Sequence, residues 1–273
     1  MNPACEFVLE ARGLSKTYTQ GKLWQKKFRR VALENVCLTL RPGETLALVG
    51  ESGCGKTTLA MCLVGLEKPD AGEILLNGAK LRLLSKSEKI LARREVQLIF
   101  QDSAGALNPR LSALQIVEEP LLIRGQHGPS ARHEIAVEMM ERVGISSNWK
   151  HRLPHEFSGG QRQRLAIARA LVLQPSVLVL DEVFVGLDLS IQGQIANMLM
   201  DLQAANRLSY ICISHDLALV GQIADTIAVM HAGQIVERAS PRVLFDCPEH
   251  FSTLALISAR RSGLLVRAAY SGA

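Results

Sequence analysis

Residues 45–66 read "TLALVGESGCGKTTLAMCLVGL". The opening run is apolar enough, and short enough, for a strand buried on both faces, and "KTTLAMCLVGL" has the make-up of a helix. Between them stand Gly50, Gly53 and Gly55. Glycines let a backbone curl so that its N–H groups face inward, and the following helix adds unpaired amides and its dipole at the same point. The result is an anion cradle. The spacing Gly50-x-x-x-x-Gly55-Lys56-Thr57 completes the phosphate-loop motif, in which Lys56 reaches the β- and γ-oxygens of a nucleotide and the Thr57 hydroxyl ligates Mg²⁺. Gly50, Glu51, Ser52, Gly53, Cys54, Gly55, Lys56, Thr57 and Thr58 are therefore expected to line the phosphates.

Outward from this stretch, "VLEARGLSKTY" and "VALENVCLTLRPGETLALVG" read as strands, with Pro42-Gly43 as the turn inside the second. "EVQLIFQD", "SVLVLDE", "SYICISHD" and "TIAVMHAGQIVE" supply further strands. From about Ser103 to Pro154 the pattern turns helical, with "ALQIVEEPLLIRG" and "ARHEIAVEMMERVG" broken by Pro and Gly. Strands alternating with helices predict an α/β P-loop core with a mainly parallel sheet and an inserted helical segment.

A second anion-gripping turn follows about a hundred residues later. Residues 156–172, "EFSGGQRQRLAIARALV", place Ser158, Gly159, Gly160 and Gln161 at the start of a basic helix. Then "VLVLDE" (177–182) ends an apolar strand in two carboxylates. Ligands of open α/β sheets sit at the carboxyl ends of strands, and paired carboxylates there call for a cation. Asp181 is expected to help hold Mg²⁺, leaving Glu182 to polarise a water for attack on the γ-phosphate. His215 follows the strand "YICIS" at the same edge and could contact the γ-phosphate or that water. Gln101 ends "QLIF" and could reach Mg²⁺ or the water. Tyr18 could stack on adenine or be a surface aromatic.

Bulk properties set the class. At 273 residues the chain can bury a sizeable core, and 48% hydrophobic against 21% charged residues is ordinary for a soluble globular protein. The net charge of +5 is too small to point to nucleic acid. Six scattered cysteines without a C-x-x-C pair speak against a disulfide framework or a zinc site and fit a reducing compartment. No cationic-then-apolar leader opens the sequence, and no apolar run approaches the ~18 residues of a membrane span, so association with a membrane would come through a partner.

Taken in order over about Leu9 to Glu237, "GESGCGKT", Gln101, "FSGGQ", "VLVLDE", Leu187-Asp188 and His215 resemble the ATP-binding cassette family of transport ATPases. The resemblance implies one ATPase domain over residues 1–236 with an N-terminal antiparallel β subdomain, a helical subdomain inserted at about 102–161, and a C-terminal tail over 237–273. It implies ATP and Mg²⁺ as ligands. Two such cassettes pair head to tail, so Ser158, Gly159, Gly160 and Gln161 would complete a partner's site. Further expected partners are integral membrane permease subunits and, indirectly, an extracytoplasmic solute-binding protein, with the chain peripheral on the cytoplasmic face of the inner membrane. A nucleic-acid-associated ATPase of the same superfamily is the rival reading; the lack of a long coiled coil or a second cassette speaks against it.

Within the family, "FQDSAGALNPRLSALQIVEEPL" resembles the branch that powers peptide and nickel import. "LVGLEKPDAGEI", Ser103 and Leu187-Asp188-Leu189 lean towards nickel (or a metal chelate), with dipeptide or oligopeptide import as the alternative. Phe157 stands where Leu is usual, and Val183 where Pro is usual, which removes a fixed φ after Glu182.

Overall fold

The structure is a computed structural model and describes residues 6–20, 28–101, 105–125 and 127–258. Residues 102–104, Ser103 among them, and the tail beyond Ser258 lie outside the described residues. The chain packs as two units, one joining the residues up to Ser85 with those from Ser209, the other formed by Lys86–Leu208.

The first unit holds strands β1 (Leu9–Gln20), β2 (Phe28–Leu40) and β3 (Thr45–Val49), helix α1 (Lys56–Leu63), then β4 (Ala71–Leu76) and β5 (Ala79–Lys80). β1, β2, β4 and β5 form an antiparallel sheet in the order β2-β1-β4-β5. The second unit contains α2 (Lys86–Glu95), β6 (Val96–Ile99), α3 (Ala113–Ile123), α4 (Pro129–Arg142), α5 (Gly159–Leu171), β7 (Val177–Asp181) and α6 (Leu189–Asn206). The chain then returns to the first unit with β8 (Ser209–Ile213), α7 (Leu217–Ile223), β9 (Thr226–His231), β10 (Gln234–Ala239) and α8 (Pro241–Asp246).

In the first unit β3 lies between β8 and β9, parallel to both, and β10 closes antiparallel on β9. All five residues of β3 and of β8 are buried, which is why each reads as an apolar run without alternation. Ala47 and Val49 of β3 pack with Val220, Ile227, Val229, Leu244 and Ile257 in one core cluster. The Pro42-Gly43 turn forms as expected, with the Glu44 N–H on the Arg41 carbonyl at 3.1 Å and Gly43 at φ +75°. "TIAVMHAGQIVE" folds back on itself, because Ala232 (φ +47°) and Gly233 (φ +85°) make a two-residue hairpin turn between β9 and β10.

In the second unit β6 and β7 pair in parallel, Ile99 opposite Leu180. Both expected helices form, yet Pro120 stands inside α3 and does not end it. The glycines do the stopping. Gly144 adopts φ +77°, its N–H meets the Glu141 carbonyl and the Ile145 N–H reaches back to Met140 at 2.8 Å, a left-handed cap sealed by a fully buried Ile145. No helix among the described residues is long and apolar enough to cross a membrane.

Candidate nucleotide site

The first unit carries the phosphate loop. Gly50, Gly53 and Gly55 have φ of +151°, +78° and +112°. A Cβ on Gly50 would lie 2.2 Å from the Met230 carbonyl oxygen, and one on Gly55 would lie 2.2 Å from that of Ala32. Backbone packs directly on backbone there, and only glycine fits. Gly55 caps α1, so the first-turn amides of Lys56, Thr57 and Thr58 open into the curl of the loop. Lys56 is buried to 7% exposure, and its ammonium donates to the Gly50 and Glu51 carbonyls, each at 2.8 Å. A buried cation beside a ring of backbone donors fits the polyphosphate of a nucleotide.

His215 reaches the same edge through β8. Leu48 pairs with Ile213, and the Ser214 N–H donates to the Leu48 carbonyl at 3.3 Å. The residues beside His215 lock its backbone: the Ser214 hydroxyl accepts the Asp216 N–H at 3.0 Å, and Asp216 caps α7 by accepting from Ala218 and Leu219. His215 itself is exposed. Tyr18 is half-buried in β1 opposite Arg30, with the Lys16 ammonium 5.4 Å from its ring centroid. Lys16 is held by Glu67 at 2.5 Å and Asp70 at 3.7 Å. Sequence reasoning passed over Arg30, whose guanidinium donates to the Gly53 carbonyl at 3.0 Å and so links the strand facing Tyr18 to the phosphate loop.

The second unit carries the carboxylates and the Ser-Gly-Gly turn. Asp181 ends β7 at 3% exposure, and Gln101, exposed, lies just beyond the end of the neighbouring β6. Glu182 sits at φ +50°, a left-handed conformation that costs a glutamate on the order of 1–3 kcal/mol unless its surroundings hold it. They do. Val183 and Phe184 are each 3% exposed, and the Val185 N–H closes a turn onto the Glu182 carbonyl at 3.2 Å. The Gln192 amide then donates to the Phe184 and Leu187 carbonyls at 3.0 and 3.1 Å. Where proline would fix φ, this chain anchors the segment with two buried side chains and one glutamine.

Ser158 caps α5 in a full capping box: its hydroxyl accepts the Gln161 N–H at 3.3 Å, while Gln161 Oε1 accepts the Ser158 N–H at 2.9 Å. Gly160 is needed for packing, since a Cβ there would lie 2.5 Å from Ile191 Cγ2 on α6. Phe157 is 3% exposed and meets Trp149 edge-on at 6.2 Å, so the larger side chain is housed and the turn keeps its form. The helix's arginines have internal partners: Arg162 on the Phe157 carbonyl, Arg164 on the Val143 carbonyl and Gln194, Arg169 on Glu119. Nearby, a cavity of about 400 Å³ is lined by Phe100, Leu107, Pro120, Ile123, Ala166 and Arg169, among others. Phe100 and Ile123 are exposed.

A phosphate loop between a buried strand and a helix, with a strand-end Asp-Glu pair and a capped Ser-Gly-Gly-Gln turn, defines an ATP-hydrolysing P-loop protein. Residues 33–185 match the family model described as ABC transporter, and the chain belongs to that family as one of its ATPases. It is 44% identical over 92% of its length to the dipeptide transport ATP-binding protein DppF of Haemophilus influenzae, covering 77% of that protein. It is 45% identical to DppF of Escherichia coli over 92% of this chain and 76% of the relative. It is 43% identical to the glutathione import ATP-binding protein GsiA of Salmonella typhimurium over 93% of this chain, but spans 41% of that longer protein.

Among solved structures, the dimeric ATP-binding cassette MJ0796 bound to ADP and Pi aligns with a TM-score of 0.75 at 29% identity, over 86% of this chain and 99% of that one. The cbiO1 protein of Clostridium perfringens, part of the cbiONQ transporter complex, aligns at 0.78 and 27%, over 95% and 99%. The fold expected from the sequence is therefore the one found. The lean towards nickel is not supported, because these relatives are named for dipeptide and glutathione transport.

Proposed function

We propose that the chain is the ATP-hydrolysing subunit of an importer for peptides or peptide-like solutes, bound peripherally to permease subunits at the cytoplasmic face of a membrane. The observation that carries this reading is the capped Ser158–Gln161 turn at the start of α5, separate from the phosphate loop, in a chain whose relatives are named for dipeptide and glutathione transport. In the proposed mechanism the loop amides and Lys56 bind the β- and γ-phosphates, and Tyr18 stacks on the base. Glu182 takes a proton from the attacking water, and His215 orients the γ-phosphate. Thr57, Asp181 and Gln101 offer hydroxyl, carboxylate and amide oxygens, a donor set suited to Mg²⁺, which when bound neutralises developing phosphate charge. The Ser158–Gln161 turn closes on nucleotide held by a second cassette, so ATP binding draws two subunits together and hydrolysis releases them. The groove beside Phe100 and Ile123 would face the permease, and Gln101 would report nucleotide occupancy to it.

The test is ATP turnover in proteoliposomes containing the chain, its permease and its solute-binding protein. Peptide should stimulate turnover, while nickel chelates should not; stimulation by nickel alone would overturn the cargo reading. A chain that stays off membranes when the permease is co-expressed would overturn the transporter-subunit reading. Glu182→Gln should keep ATP binding and lower turnover by about 10² or more, the usual scale for removing a general base. Wild-type turnover in that variant would remove Glu182 from its role.

A further inference from the structure

The phosphate loop is shaped partly from outside itself. The Gly233 N–H, in the β9–β10 turn, donates to the Cys54 carbonyl at 3.0 Å. In a trans peptide the carbonyl and the next N–H point opposite ways, so holding the Cys54 carbonyl outward turns the Gly55 N–H into the cradle. The end of β9 supplies the Met230 carbonyl that walls Gly50, and in the turn the Gly233 carbonyl accepts the Glu34 N–H at 2.9 Å. Residues 230–233 thus set the loop's curvature.

The C-terminal segment is clasped to this hairpin. A bulge between Ile235 and Glu237 places Glu237 opposite Val229. The Glu237 carboxylate accepts the N–H groups of Glu249 and His250, each at 3.0 Å, and the hydroxyl of Thr253, itself 1% exposed. Phe251 packs against His250 in a tilted contact, ring centroids 4.4 Å apart, and meets His231 edge-on at 5.2 Å. His231 is the residue between Met230 and the hairpin turn. One carboxylate therefore ties residues 249–253 to the strand pair whose tip shapes the phosphate loop, and the aromatic contact falls directly beside that tip.

We infer that Glu237 is a positioning residue for nucleotide binding: by clasping residues 249–253 against His231 it holds the end of β9 and its turn, residues 230–233, in place, so nucleotide affinity depends on engagement of the C-terminal segment. This rests on nucleotide binding at the phosphate loop. The test uses the full chain and a fluorescent ATP analogue. Glu237→Gln should raise Kd about five- to tenfold, the scale of weakening a charge-assisted hydrogen-bond cluster, while the melting temperature without nucleotide shifts little. Thr253→Val should move Kd the same way, and the double variant should fall short of additivity because both changes open one clasp. Hydrogen exchange should rise together in residues 249–253 and 50–58; in the assembled transporter KM for ATP should rise with kcat retained. Release of 249–253 with Kd within twofold of wild type would overturn the inference, and Thr253→Val carries the same test if Glu237→Gln does not fold. A wild-type chain that bound no nucleotide would instead overturn the assignment of the loop.

Discussion

Gly160→Ala probes whether the Ser-Gly-Gly turn uses glycine for packing. The new Cβ would lie 2.5 Å from Ile191 Cγ2, more than an ångström inside ordinary contact, and the next nearest atoms, Ile191 Cβ and Cδ1, lie at 3.8 and 3.9 Å. The clash is with one methyl group on a neighbouring helix. Overpacking of this kind costs roughly 1–3 kcal/mol, against which alanine's better helix propensity returns less than about 1 kcal/mol. A net loss of about 1–2 kcal/mol corresponds to a fall in melting temperature of about 2–8 °C for a chain of this size. Ile191→Ala removes the offending methyl and leaves Cβ in ordinary contact. Differential scanning calorimetry of the two single variants and the double variant should therefore show the double variant more stable than the sum of the singles by about 1 kcal/mol or more. Simple additivity, or a rise in melting temperature for Gly160→Ala alone, would refute the packing argument.

Two further outcomes follow from the ionisable groups. Burial pushes the Glu237 carboxyl up, but hydrogen bonds from Thr253, Glu249 and His250, with the charge of His250, outweigh it and hold the group below its ordinary value. A depressed carboxylate stabilises its clasp above the unfolded pKa and loses that contribution as pH falls through the folded one. Protection of the Glu249 and His250 amides from hydrogen exchange, corrected for intrinsic rates, should be flat from pH 7 to about 5 and drop below the ordinary glutamate pKa of about 4.3; Glu237→Gln should abolish that pH dependence. Burial also raises the Cys62 thiol to about 11 and Cys212 to about 12, whereas Cys37 and Cys247 are exposed. Brief iodoacetamide treatment at pH 8, read by mass spectrometry, should label Cys37 and Cys247 in the native chain and Cys62 and Cys212 only after denaturation. Equal labelling of Cys62 and Cys247 would contradict the burial.

Much of this protein was determined by sequence alone, wherever the physics is local. "TLALVGESGCGKTT" dictates strand, loop and helix because a buried strand must be apolar and a tight phosphate curl must be glycine. The Ser158–Gln161 turn was equally legible as the start of a helix, and the structure adds a capping box whose two hydrogen bonds lie within four residues. α2 and α6 were not read, α2 because it buries no residue and so has no apolar face to betray it. Other features depend on residues far apart in the chain. Nothing near Gly160 announces Ile191, nothing near Gly53 announces Arg30, and nothing near Cys54 announces Gly233. The left-handed Glu182 is affordable only because Val183, Phe184 and Gln192 hold its turn, which no spacing rule reports. Local hydrogen bonding and periodicity thus wrote the motifs into the sequence, while tertiary packing decided which distant backbones and side chains hold those motifs in shape.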